Sequence, residues 1–234
     1  MLVALGWGLL AASSLIIGAA LGVLRDWNQR FIGLVLGFGA GALVASISFE
    51  LAEEGFRVGG AVSVSVGLAV GAVTFFFADM GVARLGGRAQ QSAGSSLALG
   101  ALLDGVPEQA VLGIGIATGP GVSPALLVAI FVSNLPEAIG SANDMRTARH
   151  PRRTILLLWT AVATLCALAT VGGYQLQEVA GKELQGGING FAAGALLVML
   201  VGSMIPEASE KARDQAGLAA VLGFAVAAGL SLAN

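Results

Sequence analysis

The sequence predicts an all-α integral membrane protein with eight transmembrane helices in a 3+2+3 arrangement that contains an inverted repeat. Three observations lead to this fold class. First, 56% of the 234 residues are hydrophobic and 11% are charged, with a mean hydropathy of +0.85, which is too apolar for an ordinary soluble domain. Second, the cationic residues are distributed unevenly between alternate loops. Third, two distant stretches have nearly the same sequence.

Apolar segments of about membrane-spanning length define the helices, because roughly 20 apolar residues cross the hydrocarbon core of a bilayer. The predicted segments are residues 2–24, 31–52, 61–78, 97–117, 124–141, 154–174, 187–205 and 217–232. The first segment lacks a basic leader and is too long for a typical signal-peptide core, so we interpret it as a retained helix. The shorter segments are rich in glycine or contain proline.

The positions of lysine and arginine predict the orientation. If the N-terminus is outside, ten of the twelve cationic residues lie in inner loops, namely Arg25, Arg30, Arg84, Arg88, Arg146, Arg149, Arg152, Arg153, Lys211 and Arg213. Only Arg57 and Lys182 lie outside. Cytoplasmic loops carry the excess of positive charge in membrane proteins, so we expect a multi-pass protein of the cell membrane with both termini outside.

A shift of 153 positions aligns GFGAGAL (37–43) with GFAAGAL (190–196) and places Glu54 on Glu207. The two helices run in opposite directions in the predicted topology, so the match indicates an inverted repeat, which is typical of transporters. General packing of small residues is the competing interpretation. We therefore divide the single transmembrane domain 1–234 into a first three-helix repeat (1–90), a central two-helix metal-site element (95–145) and a second three-helix repeat (152–234).

The central helices carry most of the polar residues expected at membrane depth. DGVPE (104–108) matches SNLPE (133–137) at a shift of 29 positions, with a proline before each glutamate. Each proline leaves a helical carbonyl without its N–H partner, and an ionisable side chain in hydrocarbon costs roughly 2.5 kcal/mol or more unless it faces partners, water or a ligand. Residues spaced by three or four share a helix face.

Together these groups would form an oxygen-rich cage whose negative charges require a cation or protons. We therefore predict a divalent metal site formed by Asp104, Glu108, Ser133, Asn134 and Glu137. Two alternatives remain open: the acids are protonated beside simple proline kinks, or Asn134 makes an interhelical hydrogen bond. Further polar residues near the helix ends predict a pathway for the cation, namely Ser46, Glu50, Glu54, Ser203 and Glu207.

Other function classes find little support. The net charge of −2 and the absence of a lysine-rich block argue against nucleic-acid partners. The single cysteine, Cys166, cannot form an internal disulfide, and the sequence lacks a P-loop. An aspartyl pair of Asp79 and Asp104 could serve an intramembrane protease, but the matched Pro-Glu pairs would then be unexplained. We do not expect an enzyme.

At the central helices the sequence resembles the ZIP (Zrt/Irt-like) family of divalent metal transporters, across essentially its whole length. The family has a His-Asn-x-Pro-Glu-Gly motif in its fourth helix and a similar one in its fifth. Here Pro107-Glu108, Asn134 and Pro136-Glu137 match, whereas Asp104 and Ser133 stand where histidines are expected. The glutamate that the family has in its sixth helix is missing here. The only histidine, His150, is interpreted as a loop residue and not as a ligand.

The resemblance implies secondary or passive transport of a divalent cation, zinc, manganese or iron, as a substrate bound near the membrane midplane. With carboxylate, amide and hydroxyl ligands only, the site suits manganese, magnesium or iron(II) better than it selects zinc. The alternative is a degenerate ZIP-like protein that binds metal without transporting it. The sequence leaves open whether the chain forms a homodimer in the lipid membrane.

Overall fold

The computed structural model describes residues 1–88, 93–118 and 122–232, and all regular structure within them is helical. The all-α prediction is therefore confirmed for this part of the chain. The elements are α1 (Leu2–Leu24), α2 (Gln29–Ser46), a π-helical turn (Ile47–Ala52), α3 (Glu53–Arg88), α4 (Ala93–Thr118), α5 (Pro124–Thr147), α6 (Arg152–Val179), α7 (Lys182–Met199), a second π-helical turn (Leu200–Met204), α8 (Ile205–Ala212) and α9 (Gln215–Leu232).

Six helical runs among the described residues are long and apolar enough to cross a membrane. They are Leu2–Leu24, Gln29–Gly81, Pro124–Thr147, Arg152–Val179, Lys182–Ala212 and Gln215–Leu232. The predicted fourth segment lies in α4, which is not one of these six. Large apolar side chains such as Leu2 (86% exposed) and Leu218 (73% exposed) cover the outside of the bundle, as expected where a protein surface faces lipid.

The run Gln29–Gly81 is not one straight helix. Its 53 residues would extend about 80 Å, far beyond the roughly 30 Å hydrocarbon core. Gly60 interrupts it with φ 78° and ψ 169°, a conformation almost restricted to glycine. A Cβ atom on Gly55 would lie 3.0 Å from Cγ2 of Val64, although nine residues of straight helix would separate the two positions by about 13 Å. The chain therefore reverses direction at Gly60, which lies between the second and third predicted segments.

The helices pack closely in four pairs: α1 with α5, α2 with α9, α3 with α7 and α4 with α6. Small residues form these contacts, as is common between membrane helices. Along α2, Gly37 and Gly41 face Ala216 and Ala220 of α9 in the same order, so these two helices are parallel. The other three pairs keep the same order of contacts and are parallel as well; these contacts are Gly18 with Leu135, Gly22 with Ile139, Gly67 with Gly187, Gly71 with Phe191, Gly105 with Cys166, and Gly113 with Thr170.

Two structural irregularities recur at the shift of 153 positions found in the sequence. The π-helical turns begin at Ile47 and at Leu200, and residues with positive φ lie in the turns at Gly60 and Arg213. A third residue with positive φ, Arg149, lies outside this pattern. Both pairs are separated by the same 153 positions as the repeated GFGAGAL and GFAAGAL stretches. The similarity of the two halves therefore extends from sequence to backbone geometry.

The central helices are not interrupted where the sequence suggested. Pro107 and Pro136 lie inside α4 and α5, and both helices continue through them. Neither proline therefore breaks its helix. Proline removes one hydrogen bond and crowds the preceding turn, but packing against other helices holds the helix together. The irregular turns lie instead at Ile47–Ala52 and Leu200–Met204. No proline lies near the first of these turns.

Close glycine contacts give a testable consequence for stability. A Cβ atom on Gly41 would collide with the backbone carbonyl of Ala220, whereas one on Gly229 would meet no atom within 4 Å. We expect Gly41→Ala to destabilise the folded protein by about 1–3 kcal/mol, the usual cost of overpacking. Gly229→Ala is the matched control in α9. Thermal unfolding in detergent measures the difference, and equal melting temperatures for the two variants would contradict the proposed packing.

Candidate functional site

Helices α4 and α5 bring three of the predicted site residues together in the interior. Glu108 of α4 is 2% exposed, Ser133 of α5 is 2% exposed, and Glu137 is partly buried. The hydroxyl oxygen of Ser133 lies 3.2 and 3.3 Å from the two carboxylate oxygens of Glu108 and 3.0 Å from the carbonyl oxygen of Ile130. One hydroxyl thus joins the carboxylate of one helix to the backbone of the next.

A small cavity of about 40 Å³ lies at this cluster, with Glu108, Ser133 and Glu137 in its wall. The rest of the wall is formed by α2 and by the segment from the end of α7 to α8. The residues are Leu36, Met199, Ser203, Met204 and Glu207. The side chain of Glu207 is 39% exposed. The cavity therefore connects a buried carboxylate cluster to a carboxylate that reaches the protein surface.

The end of the cavity at Glu207 carries an ion pair. Lys211 Nζ donates a hydrogen bond of 2.5 Å to Glu207 Oε1, one helical turn away. Lys211 also approaches α5, since a Cβ atom on Gly140 would lie 3.5 Å from its Nζ. The carboxylate at this end of the cavity is therefore partly neutralised by an ammonium group.

The other three predicted pathway residues do not line this cavity. Ser46 is buried and its hydroxyl has no hydrogen-bond partner among the described residues. Glu50 accepts a hydrogen bond of 2.7 Å from Ser231 at the end of α9, and Glu54 pairs with Arg57. Because α2 and α9 are parallel, Glu50 lies at the opposite end of the bundle from Glu207. The predicted pathway residues therefore lie toward two opposite ends of the bundle, and the cavity opens at the end that contains Glu207.

The remaining predicted ligands are placed differently. Asn134 is 1% exposed, but it does not line the cavity, and its Nδ2 has no hydrogen-bond partner among the described residues. Asp104 lies in α4, and its side chain is outside the described part of the structure. Within that described part, no three Asp, Glu, His or Cys side chains come close enough to hold a metal ion. Two carboxylates and one hydroxyl thus form the core of the candidate site.

A buried pair beside the site was not predicted from the sequence. Gln109 is fully buried, and its Oε1 accepts a hydrogen bond of 2.7 Å from Thr170 Oγ1 of α6. The bond connects α6 to the residue directly after Glu108, although α6 lacks the acidic residue that the family resemblance led us to expect. The position of Gln109 directly after Glu108 in an apolar segment was a signal that it has a partner, because buried amide groups are normally hydrogen-bonded.

Of the alternative protease pair, Asp79 and Asp104, only the side chain of Asp79 is described. Asp79 is exposed near the end of α3, whereas two carboxylates that share a proton require a secluded site. His150 lies at the end of the loop after α5 and is partly buried. Neither residue belongs to the cavity wall.

No protein-family model matches the chain. A protein from Arabidopsis thaliana that bears the name "Putative zinc transporter" is 26% identical to it over an alignment of 217 residues, which covers 88% of the chain. The chain covers 35% of the length of that relative. Together with the long apolar helices, this similarity indicates a multi-pass, all-helical membrane protein that is distantly similar to a protein named as a metal transporter.

Proposed function

We propose that the chain is a ZIP-like transporter that moves a divalent metal cation across the membrane without ATP. The observation that carries this proposal is the cavity wall formed by Glu108, Ser133 and Glu137, which continues to the exposed side chain of Glu207. Carboxylate and hydroxyl oxygens are suitable ligands for manganese, magnesium and iron(II). Waters kept by the cation would supply the remaining ligands, as is usual for hard divalent ions.

An eight-helix, 3+2+3 arrangement with an inverted repeat belongs to this proposal. The four parallel helix pairs support it, because each pair joins two odd-numbered or two even-numbered crossings, and these run in the same direction when eight crossings alternate. The π-helical turns at Ile47 and Leu200 and the hairpin residues Gly60 and Arg213 support the repeat. Transporters with such repeats bind their substrate near the bilayer midplane, on helices from the repeat interface.

Flux measurements test the proposed transport directly. The full chain is reconstituted into proteoliposomes, and uptake of manganese, iron(II) or zinc is followed with a metal-sensitive dye inside the vesicles. We expect uptake driven by the metal gradient alone, above that of protein-free vesicles. If metal binds to the purified protein and no flux occurs, the protein is a metal-binding relative that does not transport, and the proposal is wrong.

The proposed orientation has its own test. Lys182 and Arg152 are both exposed, at the beginnings of α7 and α6, and the cation asymmetry predicts that they face opposite sides of the membrane. In intact cells we expect Lys182→Cys to react with a membrane-impermeant thiol reagent and Arg152→Cys to react only after permeabilisation. Cys166 is fully buried, so the unmodified chain is the control. Labelling with the reverse pattern would invert the topology.

A further inference from the structure

An apolar groove on the outside of the bundle runs directly into a cationic pocket. The groove, with a volume of about 640 Å³, lies between α2 and α9 and touches α5 at Val132. Its wall on α2 extends from Phe31 to Phe38, about 10 Å along the helix. Gln215 lines both this groove and a neighbouring pocket of about 430 Å³.

The charged side chains of the neighbouring pocket are mostly cationic. Arg30, Lys211 and Arg213 line it together with a single carboxylate, Asp214. Lys211 is already paired with Glu207, so Arg30 and Arg213 supply most of the positive charge. Arg30 Nε donates a hydrogen bond of 2.8 Å to the neutral amide oxygen of Gln215, which positions the guanidinium group without neutralising it.

Three helix ends lie at this pocket. They are the N-termini of α2 and α9 and the C-terminus of α8 at Ala212, whose partial negative charge offsets part of the positive charge of the N-termini. Helix α2 begins at Gln29 and helix α9 at Gln215, and the two helices are parallel. The partial positive charges of two helix N-termini therefore meet where Arg30 contacts Gln215. Backbone N–H groups at helix N-termini favour anions such as phosphate.

Arg213 holds an unusual backbone conformation in this pocket, with φ 52° and ψ −139°. Positive φ is unfavourable for residues with a Cβ atom, and the position that matches Arg213 in the other half of the chain is Gly60. Glycine would satisfy the same kind of turn without strain. An arginine thus occupies a backbone position that favours glycine, and its side chain adds positive charge to the pocket.

We propose that this surface binds one anionic phospholipid of the membrane, with its phosphate between Arg30 and Arg213 and one acyl chain in the groove. Every membrane-spanning helix exposes apolar side chains to lipid, but this groove ends at concentrated positive charge. Its length is about two thirds of the roughly 15 Å depth of one leaflet. In the proposed topology the pocket faces the cytoplasmic leaflet, where basic pockets between helices bind anionic head groups.

Native mass spectrometry of the purified full chain tests the proposal. The protein is mixed with phosphatidylglycerol or phosphatidylcholine carrying identical acyl chains, and the fraction of lipid-bound protein is measured. We expect preferential retention of phosphatidylglycerol. The double variant Arg30→Gln/Arg213→Gln should reduce its apparent affinity by roughly tenfold or more, since each cation near an anionic surface contributes about a fivefold change. The exposed pair Arg152→Gln/Arg153→Gln is the control and should have no such effect.

Two further variants separate this site from its competitors. Ala219→Trp fills the groove and should weaken retention of phosphatidylglycerol. If Ala219→Trp retains phosphatidylglycerol as well as the unmodified chain does, the groove does not hold an acyl chain and the lipid proposal is wrong. If inorganic phosphate displaces the lipid completely, the pocket binds free phosphate, and the lipid proposal is again wrong. If the groove is instead buried by a second copy, Ala219→Trp would dissociate a dimer, and no lipid preference would be found.

Arg213→Gly separates the charge of the side chain from the conformation of the turn. It should lower lipid retention while raising or preserving the melting temperature in detergent, because the strained backbone is relieved. Unchanged lipid retention in Arg213→Gly would overturn the role assigned to Arg213. None of these measurements depends on metal transport, so the lipid site and the transport proposal can fail separately.

Discussion

Glu108→Gln and Glu137→Gln should each nearly abolish metal flux in proteoliposomes. Each change removes one negative charge and one strong oxygen ligand from a cavity wall in which the described side-chain oxygens are few. Loss of a residue that only supports a metal ligand already costs about 10- to 100-fold, so loss of a ligand should cost at least as much. Glutamine keeps the size of the side chain, and a folded protein is expected in both variants.

Glu183→Gln provides the control for this pair. Glu183 is exposed in the first turn of α7, outside the cavity, and its replacement should leave flux unchanged. Size-exclusion profiles and melting temperatures check the folding of all three variants. Wild-type flux in both Glu108→Gln and Glu137→Gln would show that the Pro-Glu carboxylates support the structure and do not bind the transported ion.

Hydrophobic segments alone predicted most of the helical architecture. The turn between the second and third segments is found at Gly60, because a reversal in a long apolar run needs a residue that tolerates positive φ. The π-helical turns at Ile47–Ala52 and Leu200–Met204 were not predicted. Such turns depend on how a helix is packed, and no residue type strongly favours them. The proline signal instead pointed to α4 and α5, where tertiary contacts keep the helices continuous.

The helical period explains which predicted site residues the structure brings together. Ser133 and Glu137 are four positions apart and share a face of α5, and both line the cavity with Glu108. Asn134 is rotated by about 100° from Ser133, which is consistent with its burial outside the cavity wall. The Gln109–Thr170 hydrogen bond could not be predicted because it joins residues 61 positions apart on helices whose contact the sequence does not reveal.

Selectivity between metals is the second large effect, and Ser133 is the residue through which it can be changed. In the family that this sequence resembles, a histidine is expected at this position. Imidazole suits zinc well, whereas hydroxyl and carboxylate oxygens also suit manganese and magnesium. Ser133 lines the cavity, so a ligand atom introduced at this position would border the same space as Glu108 and Glu137. Zinc still binds most oxygen sites more tightly than manganese, so the informative quantity is a ratio between metals.

Ser133→His, alone and combined with Asp104→His, should raise the zinc-to-manganese ratio of transport relative to the unmodified chain, because each change adds an imidazole nitrogen to the predicted set of ligands. Initial rates with each metal, measured in the same proteoliposome preparation, supply the ratio. Ser133→Asn controls for side-chain size and for loss of the hydroxyl contact to Glu108, and it should not favour zinc. A ratio that stays level or falls in both histidine variants would mean that ligand chemistry at Ser133 does not set selectivity. Cavity size and the residues nearer Glu207 would then have to discriminate between the metals.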